Sequence, residues 1–234
     1  NRLGLSHEEL HRFESMPETT LPATERLLSD QPWHIVPRTD KRVLDPRYGF
    51  RIDVPEHLYD FGEVHNLLVA RGTLTAEERF KINEHIIQTI IMLEKLPFPR
   101  HLRAVPEIAG SHHEKMDGSG YPRGLTREQM SPMARMMAIA DIFEALTAVD
   151  RPYKQGKRLS EEVAIMASMR DAGHIDPALF ALFLESGVYQ DYARRFMQPA
   201  CIDEVDVAAL MELGNRQKVY HPLPKFPAST RDIA

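Results

Sequence analysis

A change of pattern at residue 75 limits this chain's fold more than any other feature. Upstream, prolines at 17, 22, 32, 37, 46 and 55 interrupt any long helix. Downstream, Thr75-Ala76-Glu77-Glu78 fits a capping box, with Thr75 as N-cap and Glu78 reaching back. Ile82, Ile86, Ile90 and Leu93 then recur at helical spacing, with Phe80, Ile87 and Ile91 widening the apolar face. Pro97 and Pro99 end that helix, and a second is expected from Leu102 to Glu114. Gly118, Gly120 and Pro122 force a turn. Ser131-Pro132 starts a helix rich in Met and Ala that runs to about Val149, and Ser160 and Asp176-Pro177 start two more.

Elsewhere the signals are weaker. Short helices are expected at Ser6–Ser15 and Ala23–Asp30, and a loop with a short extended piece over Pro32–Pro55. Tyr192–Phe196 would close a helix, Val205–Leu213 would form another, and His221–Ser229 reads as a tail. There is no internal repeat and no series of strands. The expected class is all-α, divided into an irregular segment over 1–55, a helical domain over 56–213 and a tail over 214–234.

Composition removes several functions. The 234 residues carry 29 basic and 34 acidic side chains, a net charge of −5, which gives no electrostatic case for duplex nucleic acid. A small anionic ligand would need a local basic patch or a metal. A single cysteine, Cys201, excludes an internal disulfide and fits a reducing, cytoplasmic compartment. No apolar run reaches membrane-spanning length and no signal-peptide pattern opens the chain. Beginning at Asn1, it reads as a fragment with a domain upstream.

Among 11 histidines, the informative ones fall in helical segments with acidic companions. His85 lies on the first strong helix, and His112 and His113 are adjacent near the expected end of the second. Asp141 sits among Ala138, Ile139, Ala140 and Ile142, where burying a carboxylate is costly without a partner. Adjacent helical positions point about 100° apart, so His112 and His113 would each reach a different ion of a pair. Two ions about 3.5–4 Å apart can clamp a phosphate and activate water. Imidazole with carboxylate suits iron, manganese or zinc. The competing reading is structural: Asp141 in a buried salt bridge with Arg135, and histidines capping helix ends.

The run His112-His113-Glu114-Lys115-Met116-Asp117-Gly118-Ser119-Gly120-Tyr121-Pro122 resembles the signature of the HD-GYP family at every defined position. Gly72-Thr73-Leu74-Thr75-Ala76-Glu77-Glu78 followed by His85, the helix around Asp141, Arg151-Pro152-Tyr153-Lys154 and Ile175-Asp176-Pro177 extend the likeness over about residues 56–190. The resemblance implies an HD-superfamily helical bundle with extra HD-GYP helices. It implies a metal-dependent phosphodiesterase acting on cyclic di-GMP, giving pGpG or GMP, in bacterial second-messenger signalling. His85, His112, His113 and Asp141 would hold metal, most simply two transition ions. Arg151 and Lys154 would lie near the phosphates with Tyr121, and Asp117, Gly118, Gly120, Tyr121 and Pro122 would form the loop implicated in contacts with GGDEF domains.

The family's His-Asp pair, with its nearby lysine, is replaced. A gapless register puts Glu56-His57 at the pair and Asp60 at the lysine; a slip of three residues puts Tyr59-Asp60 at the pair and Glu63 at the lysine. Glu56 and His57 are both competent ligands and would complete a two-metal site of altered geometry. An acid in place of the lysine would repel the phosphate. An active phosphodiesterase therefore stands beside a non-hydrolytic domain that senses cyclic di-GMP or docks a GGDEF partner, and beside a hydrolase of other nucleotides.

Overall fold

Thr75 caps the longest helix as its sequence requires. Its hydroxyl accepts the Glu78 N–H at 3.3 Å while the Glu78 carboxylate accepts the Thr75 N–H at 2.9 Å. The computed structural model describes residues 6–17, 20, 22, 24, 26–39, 45–70, 72–148 and 156–216. Among these, the order is α1 (His7–Glu14), β1 (Ile35–Pro37), β2 (His57–Asp60), α2 (Glu63–Leu67), α3 (Ala76–Leu93), α4 (Val105–Gly110), α5 (Pro132–Thr147), α6 (Leu159–Asp171), α7 (Pro177–Glu185), α8 (Val188–Phe196) and α9 (Val207–Arg216). The class is helical, as expected.

Four local expectations need correction. A small antiparallel ribbon is present, pairing Ile35 with Asp60 and Val36 with Tyr59, so the extended piece near Pro37 has a partner strand. The described residues among 23–30 are not helical. The helix expected over Leu102–Glu114 is a 3₁₀ turn at Arg100–Leu102 followed by the short α4, which stops at Gly110. Helix α6 starts at Leu159, so Ser160 lies inside its first turn, where its N–H and hydroxyl both donate to Asp203.

Two apolar clusters organise the chain. One joins α5 to α8, around Phe143, Val163, Met166, Phe180 and Tyr189, with α9 packed on it. The other gathers Tyr48 with Phe80, Ile86, Ile87, Ile90 and Ile91 of α3. Phe50, Ile52, Val54 and Tyr121 pack against that second cluster. Residues 48–54, irregular in sequence, are therefore part of the same packed body as α3. Ile82 departs from the expected stripe and is 57% exposed, because it shares the open face of α3 with His85.

Asp176 braces the helical half. Its Oδ1 accepts the N–H groups of Ala178 and Leu179, capping α7, and its Oδ2 receives Arg127 at 2.8 Å and the Arg135 guanidinium. Burial pushes this carboxyl up, but the Leu179 N–H and the Arg135 and Arg127 charges outweigh it and hold the group below the ordinary carboxylate range. Arg135 is thus committed to Asp176, not to Asp141. Asp176→Ala should destabilise the protein by about 3–5 kcal/mol in urea unfolding, since it strands Arg135 and uncaps α7.

Glu162 is the opposite case. It is 1% exposed, and among the described residues its Oε2 has no hydrogen-bond partner. Burial pushes its carboxyl up to about 7. The folded state therefore holds a proton that the unfolded chain releases at lower pH. Its stabilising effect is present in acid and is lost as pH rises through about 7. Glu162→Gln should gain about 1–3 kcal/mol over wild type between pH 5 and pH 8, read from urea unfolding at each pH.

Candidate metal centre

Gly110 sets the site. A Cβ there would lie 2.7 Å from Cγ1 of Ile90, so only glycine lets the end of α4 approach α3 this closely. The chain then leaves the helix, and His112 and His113 fall in a turn rather than on it. Outside a helix, His112 and His113 are not held about 100° apart. Ligand atoms of His85, His112 and His113 all lie within 4.8 Å of one another, so the three can serve one ion.

Two of the rings are oriented by backbone. Nδ1 of His85 donates to the Ile82 carbonyl at 2.7 Å, and Nδ1 of His112 donates to the Ala109 carbonyl at 2.8 Å. That assigned tautomer leaves an Nε2 lone pair on each, the form a metal ligand needs. His113 Nε2 faces His85 Nε2 at 3.1 Å. Two such nitrogens face each other stably only with a proton or a cation between them. Burial, followed by the charges of His112 and His85, lowers the His113 pKa to about 4, so its ring is neutral near pH 7. The donor set fits a divalent transition metal.

The glycine-rich loop is built to reach this cluster. Glu114, fully buried, accepts the backbone N–H of Arg123 at 2.7 Å and of Leu125 at 2.8 Å. Burial pushes its carboxyl up, with those N–H groups pulling the other way. Asp117 Oδ1 accepts the Ser119 N–H at 2.9 Å, and Gly118 adopts φ 78°. A Cβ on Gly120 would meet the Lys115 nitrogen at 2.3 Å, so the loop folds back tightly over residues 114–115. Tyr121 donates its N–H to the His113 carbonyl, and its ring stacks on the imidazole with centroids 4.9 Å apart. Pro122 is buried, and its carbonyl accepts the Arg51 N–H at 2.7 Å.

Asp141, half-buried on α5, lies close enough for its charge to raise the pKa of both His113 and Tyr121. Glu56 and His57 are placed differently. His57 opens β2 opposite Pro37, and Glu56 borders a depression lined by Ala76, Glu77, Arg79, Phe80 and Asn83. Asn83 lies about 200° around α3 from His85. The structure does not gather Glu56 or His57 into the three-histidine group. Asp60 instead accepts the Gly62 N–H and faces His65. Arg151 and Lys154 lie outside the described residues.

Sequence reasoning gave no role to Gly110, Glu114 or Arg123. Arg123 donates from Nε to the Tyr48 carbonyl and from Nη2 to Glu94, tying the loop to residues 48–54 and α3. The available signal for Glu114 was an acid just before a glycine-rich loop whose backbone N–H groups, here those of Arg123 and Leu125, need acceptors.

Fold and centre together define a helical domain with a three-histidine cluster able to hold a metal ion. An HD domain model matches residues 22–179, and the chain belongs to that family, in the branch marked by the HD-GYP signature. It is 44% identical over 86 residues to a cyclic di-GMP phosphodiesterase of Pseudomonas aeruginosa, covering 36% of this chain and 20% of that protein. It is 34% identical over 168 residues to a Vibrio cholerae protein named a probable cyclic di-GMP phosphodiesterase, covering 68% and 36%. A 3′3′-cGAMP-specific phosphodiesterase of Vibrio cholerae is 38% identical over 128 residues, covering 53% and 26%. The chain thus spans between a fifth and about a third of the length of these relatives.

Glu114→Gln replaces two acceptors with one acceptor and one donor facing backbone N–H groups. It should cost about 1–3 kcal/mol in urea unfolding and weaken transition-metal binding in a metal titration. Unchanged stability and metal affinity would contradict the role given to Glu114.

Proposed function

We propose that this domain is a metal-dependent phosphodiesterase acting on a cyclic dinucleotide, with cyclic di-GMP and 3′3′-cGAMP as the substrates to test. The observation that carries the reading is the convergence of His85, His112 and His113, two of them oriented by backbone carbonyls. Likeness to relatives named for these two cyclic dinucleotides supports the substrate class. Iron, manganese or zinc, as one ion or two, fits the imidazole-rich donors. When bound, the metal supplies Lewis-acid activation of water and neutralises phosphate charge.

The chain's own residues do the rest. His85, His112, His113 and Asp141 hold the centre. Tyr121, stacked on His113 and held against the α3 cluster, fixes that ring and borders the substrate. Arg151 and Lys154 would add positive charge for the phosphates. In the reaction, water oxygen bonds to one phosphorus, the P–O3′ ester bond breaks, and the departing oxygen takes a proton. From cyclic di-GMP the product is linear pGpG.

The placement of Glu56 away from the histidines favours a second reading, a non-hydrolytic cyclic dinucleotide sensor or a docking module for GGDEF-domain proteins. Metal analysis with a turnover assay separates the two. The enzyme should carry stoichiometric transition metal and hydrolyse the dinucleotide. Chelation should abolish turnover, and His113→Ala should reduce it by about 10²-fold or more. Metal-replete protein that binds the dinucleotide without turnover over hours establishes the second reading instead.

A further inference from the structure

Helix α5 carries more apolar side chains than its core face buries. Ala134, Ala138, Ile139 and Phe143 are buried, whereas Met133, Met136 and Met137 are 60%, 48% and 44% exposed. Single exposed apolar residues are ordinary, but three on one helix make a patch. At 100° per residue, Met137 falls about 40° from Asp141 around the helix and Met133 about 80°. Met136 lies about 140° away, and with Ala140 it lines a separate apolar groove against Leu179, Leu182 and Val188. Met133 and Met137 therefore belong to the side of α5 that carries Asp141.

Asp141 ties that side to the metal centre, because its charge acts on both His113 and Tyr121. Met137 stands one turn before it, and residues so placed have Cβ atoms about 5–6 Å apart. That separation is close to the span between the phosphate and the base of one nucleotide. Neither Met133 nor Met137 packs on the two apolar clusters of the described residues. A methionine is unbranched and polarisable, so it moulds itself to a flat ring and gains from sulfur–aromatic contact. Every purine offers such a ring face. A protein partner, or a second copy of this chain, suits the strip less well. Laid across it, either would also cover Asp141 and the exposed Glu144, which lies about 60° from Asp141, and burying unpaired carboxylates is costly.

From this arrangement we infer that Met133 and Met137 form a base-binding surface beside the metal centre, on which one purine of a cyclic dinucleotide lies while its phosphate occupies the centre. The inference deepens the proposed function and rests on it. It adds the part of the chain that holds a base, which the histidines and Asp141 do not supply. Contact of one thioether with a ring corresponds to about 2–10-fold in affinity.

The test follows isotope-labelled methionine methyl groups by NMR in metal-loaded wild type, titrated with cyclic di-GMP and, separately, with inorganic phosphate. A purine stacked on a methyl group shifts its resonance through the ring current. The Met133 and Met137 signals, identified by substitution to Leu, should move with cyclic di-GMP and stay in place with phosphate. Calorimetry then compares wild type with the double variants Met133→Gln/Met137→Gln and Met133→Leu/Met137→Leu, with metal content and sedimentation recorded for each. The Gln pair should weaken cyclic di-GMP by about 10-fold and leave phosphate within about twofold, and the Leu pair should restore most of the loss. If cyclic di-GMP binds and neither signal moves, the inference is overturned while the proposed function stands. The same holds if the Gln pair binds cyclic di-GMP within about twofold of wild type, or changes only the oligomeric state, which makes the strip a contact between copies. If wild type binds phosphate but not cyclic di-GMP, the inference and the substrate reading fall while the phosphate centre stands. If it binds neither, the reading of the site falls as well. The methyl signals are read in wild type, so the test survives a Gln pair that fails to fold.

Discussion

The buried carboxylate of Glu114 is the constraint on which the centre depends. A charge with no solvent contact is costly to place in a protein interior unless donors surround it. Here the donors are backbone N–H groups of Arg123 and Leu125, which belong to the far side of the glycine-rich loop. Satisfying Glu114 therefore closes that loop. Closure brings Tyr121 onto His113 and presses residues 114–115 against Gly120 so closely that no side chain fits. Loop shape and the orientation of His113 follow from one electrostatic requirement.

A second contact converts the closed loop into a site. Gly110 against Ile90 sets the spacing between α4 and α3, and the end of α4 releases two histidines toward a third. Because α4 has only six residues, the pair sits in a turn and is free of the helical rule that would have split it. The loop is then tied on its outer side. Arg123 reaches Tyr48 and Glu94, and Pro122 meets Arg51, so the segment before β2 buttresses the signature loop from behind. Residues 57–60 belong to the small ribbon, and neither Glu56 nor His57 joins the histidine cluster.

Much of the frame was legible because it is local. The Thr75 box, the Ser131-Pro132 start and the Asp176 cap each use a side chain acting within three residues, and all three form. Other features were not legible because they are not local. The extent of α4 depends on Ile90 packing at Gly110. The ribbon depends on pairing across more than twenty residues. Arg135, six residues before Asp141 on the same helix and a plausible partner for it, goes instead to Asp176 on another element. Spacing within a helix cannot choose between partners that tertiary contact supplies.

The sequence by itself determined the family, the helical class and the residue types of the centre, since an eleven-residue signature with fixed glycines and paired histidines tolerates few other folds. It also carries Glu56-His57 where a gapless register expects the His-Asp pair. Only the tertiary structure decided which ligands meet. It gathered His85, His112 and His113, brought Asp141 within electrostatic reach and left Glu56 on another side of α3. The physical reason is that a metal site depends on distances between atoms far apart in the chain. Those distances are set by how closely α4 and the loop pack on α3, which here rests on two glycines and one buried carboxylate.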